Sequence, residues 1–403
     1  MSSRAANVCL GEVLHLDLDR VPVDPSASYP MVGVLSFGRG LFTREPVENG
    51  NTSYRWFYRL KAEHVVMSQL FGWEGALALS SPQFAGRFLS PQFPTFLCDT
   101  TRLERRFLGW LMRRPAFWED LGLRASGMGD RRRTLNPESL FACEIPLPPL
   151  EKQRRIVAQI EVLATYIAKA RSLRNEASEE AERLLLNEIG EVFSRLKARH
   201  PAREFGSFSP HVTSGPRNWA KHYEQTGFRF YRAQDVGPAG KILEDSKVFI
   251  TPPPGEQGRS AMLQPGDLML VITGATVGRV AGYRQGLEPG FVSQHVAICR
   301  LPQGEVAPDF ILWGLRGPGG QAQLLGQRYG QGKPGLNLSN VRSLSLPFPT
   351  LPEQRRIVAY LDGWQARVDA LKRLQIETAV ELEAILPSIL DRAFKGDLVG
   401  VTP

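Results

Sequence analysis

The chain has 403 residues, 42% of them apolar and 22% charged, with a formal net charge of +8 and a pI near 9.4. This length is too great for one ordinary core and indicates two or three domains, while the composition excludes a disordered chain. The excess of positive charge favours a polyanionic partner. No apolar run reaches the roughly 18 residues of a membrane span, and the N-terminus lacks the apolar stretch of a signal peptide. We therefore expect a cytoplasmic protein that makes no membrane contact.

The first 148 residues predict a mixed α+β domain. Short β-like runs such as 76–79 alternate with turn residues, and most of the aromatic and glycine residues of this half lie here. The four cysteines of the chain are widely spaced, which argues against a zinc knuckle or a disulfide framework. We expect all four to be buried small apolar residues in a reducing compartment.

Residues 149–200 predict a long helix. Apolar or small residues recur in steps of three and four, which is the pattern of a coiled-coil seam rather than of an ordinary surface helix. The predicted seam positions are Ile156, Ile160, Leu163, Ile167, Ala170, Ala177, Ala181 and Leu184. Mixed charges occupy the flanking faces, as expected for a solvated side of the helix.

A second α+β domain is predicted over 201–349 and a second long helix over 350–403. The run 268–273 has the composition of a buried strand, and Gly266 lies in the turn that precedes it. The second seam has the same period, with Ile357, Leu361, Trp364, Val368, Leu371, Thr378, Leu382 and Ile385. Matching periods predict that the two helices pair antiparallel, with one globular domain at each end.

The chain is an internal repeat. The Pro-rich stretch 145–158 returns at 346–359, so that Gln153 corresponds to Gln354 at an offset of 201 residues. Upstream, Phe107 corresponds to Phe310 at an offset of 203, whereas the first ~60 residues of the two domains look unrelated. The fold class is therefore predicted as α+β: two globular α/β domains, a pair of long antiparallel coiled-coil helices and a pseudo-two-fold repeat.

A glycine-containing basic loop occurs at the same place in both copies. Arg131, Arg132 and Arg133 precede Leu-Asn in the first domain, and Lys333 lies between glycines before Leu-Asn in the second. Glycine allows close backbone approach, and arginine or lysine can neutralise phosphates or contact guanine edges. A solvated loop would explain either copy alone, but the matched occurrence favours DNA binding.

Further candidates for DNA contact lie early in each domain. In the second domain they are Arg217, Asn218 and Trp219, a mixture of guanidinium, amide and aromatic groups suited to base edges and phosphates. The first domain lacks this opening and has a different run instead, in which Arg39 and Arg44 are the basic candidates. No phosphate-binding loop, metal-ligand spacing or catalytic motif stands out, so no catalytic residue and no metal ligand is assigned.

The layout of domain, Pro-rich helix entry, second domain and second such helix resembles the specificity (S) subunit of Type I restriction–modification enzymes. The doubled Gln-Arg-Arg-Ile-Val entry at 153–157 and 354–358 carries the resemblance, together with Gly266-Asp267-Leu268 and the Leu336-Asn337 approach to 346–349. The resemblance extends over nearly the whole chain.

The resemblance implies a non-catalytic subunit that binds double-stranded DNA. Each recognition domain would read one half of a bipartite asymmetric target, and the helices would fix the gap and dock two methyltransferase subunits. It also allows two restriction subunits. S-adenosylmethionine, ATP and Mg would belong to those partners rather than to this chain. The alternatives are a nuclease or other DNA-acting enzyme built from two repeats, and a coiled-coil assembly protein without a nucleic-acid role.

Overall fold

The computed structural model describes residues 6–48, 50–125, 133–208, 211–252, 259–302, 304–330 and 334–396. The chain divides into two compact units: unit 1 consists of Met1–Arg174 and Ile376–Pro403, and unit 2 of Asn175–Gln375. Each unit holds one α+β domain and parts of the long helices, in agreement with the predicted fold class. The domain limits 1–148, 149–200, 201–349 and 350–403 stay predictions.

Short strands bounded by turns build the domain of unit 1. They are β1 (Ala6–Cys9), β2 (Leu14–Leu16), β3 (Arg20–Pro22), β4 (Val32–Leu35), β5 (Gly40–Thr43), β6 (Trp56–Arg59), β7 (Val65–Met67), β8 (Leu77–Leu79), β9 (Phe88–Leu89), β10 (Thr95–Cys98) and β11 (Glu144–Leu147). The central sheet has the order β2-β10-β7-β8 and is antiparallel throughout. β3-β6-β9 form a second sheet, β4 and β5 form a hairpin, and β1 pairs with β11.

The domain of unit 2 repeats this plan. Its strands are β12 (Ala202–Glu204), β13 (His211–Ser214), β14 (Tyr223–Glu224), β15 (Phe228–Tyr231), β16 (Phe249–Ile250), β17 (Leu268–Val271), β18 (Val280–Gly282), β19 (Gly290–Val292), β20 (Val296–Arg300) and β21 (Ser345–Pro347). The antiparallel sheet β13-β20-β17-β18 corresponds strand for strand to β2-β10-β7-β8, and β12-β21 to β1-β11. A further sheet, β14-β16-β15-β19, differs from its counterpart in unit 1.

The early residues of the two domains therefore share more structure than the sequence suggested. β1 and β2 in unit 1 have counterparts in β12 and β13, although their sequences look unrelated. Divergence is concentrated in the second sheet and in the β4–β5 hairpin. A common framework with different attached loops is the arrangement expected of two domains that present different surfaces.

Helices complete the two units. They are α1 (Arg105–Leu111), α2 (Pro115–Arg124), α3 (Pro137–Phe141), α4 (Leu150–Arg199), α5 (Phe205–Phe208), α6 (Pro308–Arg316), α7 (Pro318–Gly326), α8 (Leu338–Arg342), α9 (Leu351–Glu377) and α10 (Ala379–Lys395). Asn136 caps α3 by accepting the Ser139 N–H at 2.8 Å, and Asn337 caps α8 by accepting the Asn340 N–H at 2.7 Å. Each cap satisfies a free N–H of the first helical turn.

Antiparallel packing of the long helices is present within each unit. In unit 2, Tyr360 of α9 donates to Glu188 of α4 at 3.0 Å, and Lys372 pairs with Glu182. A residue farther toward the C-terminus of α9 thus contacts a residue farther toward the N-terminus of α4. The two helices are therefore antiparallel. In unit 1, the start of α4 and the end of α10 share a core that includes Ile156, Val157, Ile160, Leu390 and Ala393.

Four of the predicted seam positions are wrong, because Ala177, Leu184, Thr378 and Ile385 are exposed. Leu184 is 48% exposed and the neighbouring Leu185 is buried instead; Ile385 is 41% exposed. The second helical run is also interrupted at Thr378, where α9 ends and α10 begins, and the Thr378 carbonyl accepts a hydrogen bond from Arg174 at 3.3 Å. In the part of the chain that is described, no helix is long and apolar enough to span a membrane.

Candidate nucleic-acid interface

Three loops meet at one end of the central sheet in each domain. In unit 1, the Leu135 N–H donates to the Gln69 carbonyl at 2.8 Å, and the Gln69 N–H donates to the Gln92 carbonyl at 2.9 Å. We call the surface formed by segments 68–76, 90–93 and 133–136 the three-loop edge of unit 1. Leu135, which follows the basic loop predicted from the sequence, belongs to this edge.

Unit 2 has an equivalent three-loop edge, formed by segments 271–279, 293–296 and 334–337. Here the Leu336 N–H donates to the Ile272 carbonyl at 2.8 Å, and the Ile272 N–H donates to the His295 carbonyl at 2.9 Å. Each of these residues corresponds to its counterpart in unit 1 at the repeat offset of 201 or 203. The internal repeat thus includes the backbone hydrogen bonds made by the leucine that follows each predicted basic loop.

Arg133 lies on the three-loop edge of unit 1. Its guanidinium is 5.6 Å from the ring centre of Trp73, and the Trp73 indole N–H donates to the Leu70 carbonyl at 2.9 Å. The indole is therefore fixed to its own loop and holds the arginine by a cation–π contact. A positive group over an aromatic ring is a common arrangement at nucleic-acid surfaces.

The β4–β5 turn brings Arg39 to the same edge. The Phe37 N–H donates to the Glu74 carbonyl at 2.8 Å, and the Gly38 N–H donates to the Gly75 carbonyl at 3.0 Å. Arg39 itself is exposed and lies 5.8 Å from the Phe37 ring. Arg39 and Arg133 are thus attached to neighbouring residues of one loop, although 94 positions separate them in the sequence.

Gly38 is required where this turn crosses the end of α1. Its φ is +63°, and a Cβ at this position would lie 2.8 Å from the Arg113 Cα. The Arg113 Nε donates to the Gly38 carbonyl at 3.2 Å, and the guanidinium stacks on Trp110 at 4.7 Å. Burial lowers the pKa of Arg113. Arg113 therefore supports the turn, although its side chain keeps substantial exposure.

Arg44 is exposed but lies away from Arg39. It follows β5, whereas Arg39 precedes it, and the five residue steps between them at about 3.3 Å each span up to roughly 17 Å along the hairpin. The Arg44 N–H donates to the Met31 carbonyl at 3.0 Å. The two arginines of this segment therefore belong to opposite ends of the hairpin, and the DNA role of Arg44 stays a prediction.

In unit 2, a close approach at Gly215 directs the Arg217 segment to the three-loop edge. A Cβ on Gly215 would lie 1.9 Å from the Val292 carbonyl oxygen, so no side chain fits there. The following residues are placed beside the 293–296 segment, and Arg217 and Asn218 are exposed. Asn218 has a φ of +64°, a conformation that asparagine tolerates better than most residues.

Trp219 is a core residue. It is only 4% exposed, and its ring packs against Phe291 and Phe230 with ring centres 5.4 and 6.4 Å apart. This burial argues against the direct DNA contact that the sequence suggested for Trp219. Its indole instead anchors the segment that presents Arg217 and Asn218.

Three residues that the sequence interpretation did not select lie on the edge of unit 2. Tyr329 is 57% exposed and exchanges two backbone hydrogen bonds of 3.0 Å with Gly335. Gln294 and His295 are half-buried, and their side-chain nitrogens are 3.2 Å apart. The repeat gave a signal for His295, because it aligns with Gln92, but no sequence pattern distinguishes Tyr329 from a core tyrosine.

Three predicted contacts, Arg131, Arg132 and Lys333, lie outside the described residues. Their flanking residues Arg133 and Pro334 are described, and the Pro334 carbonyl accepts the Gly274 N–H at 3.1 Å. The roles of the three basic residues stay predictions.

The described residues offer no cluster of three or more His, Cys, Asp or Glu side chains that could hold a metal ion. Burial raises the pKa of Cys98 to about 11 and those of Cys143 and Cys299 to about 12, so these thiols are protonated at neutral pH. Cys9 is exposed, which corrects the expectation that all four cysteines are buried. Its backbone pairs in β1 at the edge of a two-stranded sheet, which leaves the side chain at the surface.

Fold and surface together define a class of protein: two related α+β domains, each with a loop edge that carries exposed arginines, attached to long helices that pack antiparallel. No family model matches the chain. Its fold is similar to a chain in a study of complex assembly and conformational transition of the type I restriction–modification (R-M) system, with 26% identity, 99% of each chain covered and a TM-score of 0.72.

The chain is also similar to the HsdS subunit from Thermoanaerobacter tengcongensis, with 26% identity over 99% of this chain and 98% of that one and a TM-score of 0.55. Among curated proteins, the specificity subunit of the type I restriction enzyme EcoBI from Escherichia coli is 24% identical over 142 residues. That match spans 35% of this chain and 30% of the relative's length. The resemblance to Type I specificity subunits that the sequence predicted is thus confirmed.

Proposed function

We propose that the chain is the DNA-binding specificity subunit of a Type I R-M complex. The observation that carries the proposal is the pair of equivalent three-loop edges. Exposed Arg39 and half-buried Arg133 in unit 1 and exposed Arg217 in unit 2 supply positive charge at these edges. Arginine neutralises phosphates and binds guanine edges, so each edge suits the surface of a DNA duplex.

Two edges of related framework but different side chains suit a target of two different halves. One domain reading a few base pairs discriminates weakly, because each mismatch costs about 1–3 kcal/mol. Two domains joined by stiff helices combine their discrimination, since the second binds at a high effective concentration once the first has bound. We therefore propose a bipartite, asymmetric DNA target.

The long helices would set the gap between the two half-sites and dock two methyltransferase subunits. These partners would supply S-adenosylmethionine and the adenine methylation, and two restriction subunits would add ATP- and Mg-dependent activity. The chain itself would be non-catalytic. A cytoplasmic location stays a prediction.

Sequencing of modified bases in a host genome tests this proposal. A host that lacks modification would express the full chain together with its cognate methyltransferase subunit, and a matched strain would express the methyltransferase alone. We expect methylated adenines in one split motif with a fixed gap, only in the strain that has the chain. A continuous motif, or the same motif without the chain, would refute the proposal.

The competing interpretation of a nuclease is tested on the purified chain. We expect no cleavage of duplex DNA when the chain is incubated alone with Mg²⁺ or Mn²⁺. Metal-dependent cleavage by the chain without partners would favour the enzyme interpretation.

A further inference from the structure

Gln153 is a fully buried polar side chain in the first turn of α4. Its Oε1 accepts the Glu104 N–H at 2.8 Å, and Glu104 is the residue that caps the start of α1. Its Nε2 donates to the Pro148 carbonyl at 2.7 Å and to the Arg102 carbonyl at 2.8 Å. One side chain thus joins the start of the long helix to the start of a domain helix.

Gln354 has the same environment in unit 2. It is also fully buried, in the first turn of α9. Its Oε1 accepts the N–H of Ala307, the capping residue of α6, at 2.9 Å, and its Nε2 donates to the Pro349 carbonyl at 2.9 Å. Both partners correspond to those of Gln153 at the repeat offsets.

An amide is the side chain that this position requires. The partners are a backbone N–H and a backbone carbonyl, so the side chain must both accept and donate without carrying charge. An apolar side chain of similar size would leave these buried backbone groups without partners, which is costly in a protein interior. Because proline has no N–H and a fixed φ, Pro148 and Pro349, each two residues before its long helix, also restrict the path of the chain.

A second contact holds each domain to the long helices. In unit 1, Phe107 of α1 packs on Phe394 of α10 with ring centres 5.0 Å apart. In unit 2, Phe310 of α6 packs on Phe193 of α4 at 5.2 Å. Each domain is therefore fixed at the first turn of one long helix and on the side of another. Two separate attachment points determine the direction of the long helix relative to its domain, whereas one point alone would not.

We propose that Gln153 and Gln354 are equivalent positioning residues that fix the direction in which each long helix leaves its own domain, and that they thereby hold the gap between the two half-sites to one length. The role in the gap rests on the proposed function. The geometry of each joint lies within a single unit and can be tested without DNA.

The first test measures the joint of unit 2 with pairs of nitroxide spin labels. The labels replace exposed Glu224 of the domain and exposed Ala366 of α9 in the full chain. Cys9 is first changed to Ser, because its thiol is exposed and would otherwise be labelled. We expect a narrow distance distribution with native Gln354, and a distribution at least twice as wide in Gln354→Met.

A matched control separates positioning from loss of stability. Ile298→Val truncates a fully buried residue of the same domain. Ile298 belongs to a separate cluster of buried apolar residues, and no described member of that cluster comes from α9. We expect this variant to keep the narrow distribution. Gln354→Glu serves as a second variant should Gln354→Met fold poorly, because its carboxylate still accepts from Ala307 but cannot donate to Pro349. We expect it to broaden the distribution as well.

The second test reads the gap in the methylated genome of a host that expresses the variant chain with its methyltransferase partner. One additional base pair moves a half-site by about 3.4 Å and turns it by roughly 35°. We expect Gln354→Met to raise methylation at gaps one base pair longer or shorter at least tenfold relative to the native chain. The control for this second test is the variant Gln159→Met. Gln159 is a half-buried glutamine farther along α4.

The two tests separate failure of this inference from failure of the proposed function. An unchanged distance distribution in the Gln354 variants overturns the inference. So does an unchanged gap in a host whose genome is otherwise methylated at a split motif. A continuous motif with the native chain overturns the proposed function, and with it the role in the gap.

Discussion

Removal of Arg39 and Arg133, the two arginines at the three-loop edge of unit 1, would weaken DNA binding in a salt-dependent way. Arg39 and Arg133 are attached to adjacent residues of one loop, through the Phe37–Glu74 hydrogen bond and the Trp73 ring. Neither side chain is buried, so alanine at both positions should leave the core intact. The perturbation is the double variant Arg39→Ala/Arg133→Ala.

The magnitude follows from counterion release. Each phosphate contact contributes about 0.9 to the slope of log K against log salt. Loss of two contacts should therefore reduce the slope by roughly 1.8. Over a fourfold change in salt, from 50 to 200 mM, each contact accounts for about a 3.5-fold change in affinity and the pair for about 12-fold.

Fluorescence anisotropy with a labelled duplex that contains the methylated motif provides the assay, performed on the full complex over this salt range. Arg106→Ala is the matched control, because the Arg106 guanidinium is held by Glu161 of α4 at 3.2 Å rather than at the loop edge. An unchanged slope in the double variant, or an equal reduction in the control, would contradict the assignment of this edge to the phosphate backbone.

Three further predictions concern stability and reactivity. Arg229 is fully buried against two glutamates that keep some exposure, so Arg229→Met should destabilise unit 2 by about 3 kcal/mol and lower its melting temperature by roughly 6–12 °C; an unchanged melting curve would contradict this. Cys9 alone should react quickly with a thiol reagent at pH 7.5, with all four cysteines reacting after denaturation; rapid reaction of more than one thiol in the folded chain would show that the buried assignments are wrong. Hydrogen bonds from Lys395 and Arg114 lower the pKa of Asp391, so its contribution to stability is present above about pH 4 and is lost as the pH falls through the lowered value. Asp391→Asn should accordingly melt below the native chain at pH 7, and this difference should shrink in acid; a difference that grew in acid would reverse the assignment.

The repeat made much of the architecture predictable. Paired Pro-rich helix entries and aligned apolar positions indicated two α+β domains and two long antiparallel helices, and the structure bears out this fold class. The prediction of the seam positions was less accurate where two apolar residues are adjacent in the sequence. Leu184 and Leu185 are equally apolar, and only packing decides that Leu185 is buried.

The candidate site could be predicted only where the two halves of the sequence carry matching residues. Matching basic loops located both three-loop edges, but burial of individual aromatic residues depends on contacts with distant strands. Trp219 packs on rings of β15 and β19, and no local pattern reveals this. The proximity of Arg39 to Arg133 likewise depends on backbone hydrogen bonds between a hairpin turn and a loop that are far apart in sequence.

Independent reading of two half-sites is the central claim of this account, and the most direct test alters one edge only. The double variant Arg217→Ala/Asn218→Ala changes the edge of unit 2, and genomic methylation would be compared with that of the native chain. We predict relaxed base preference in one half of the motif, with the other half and the gap unchanged. Equal relaxation of both halves would contradict the claim.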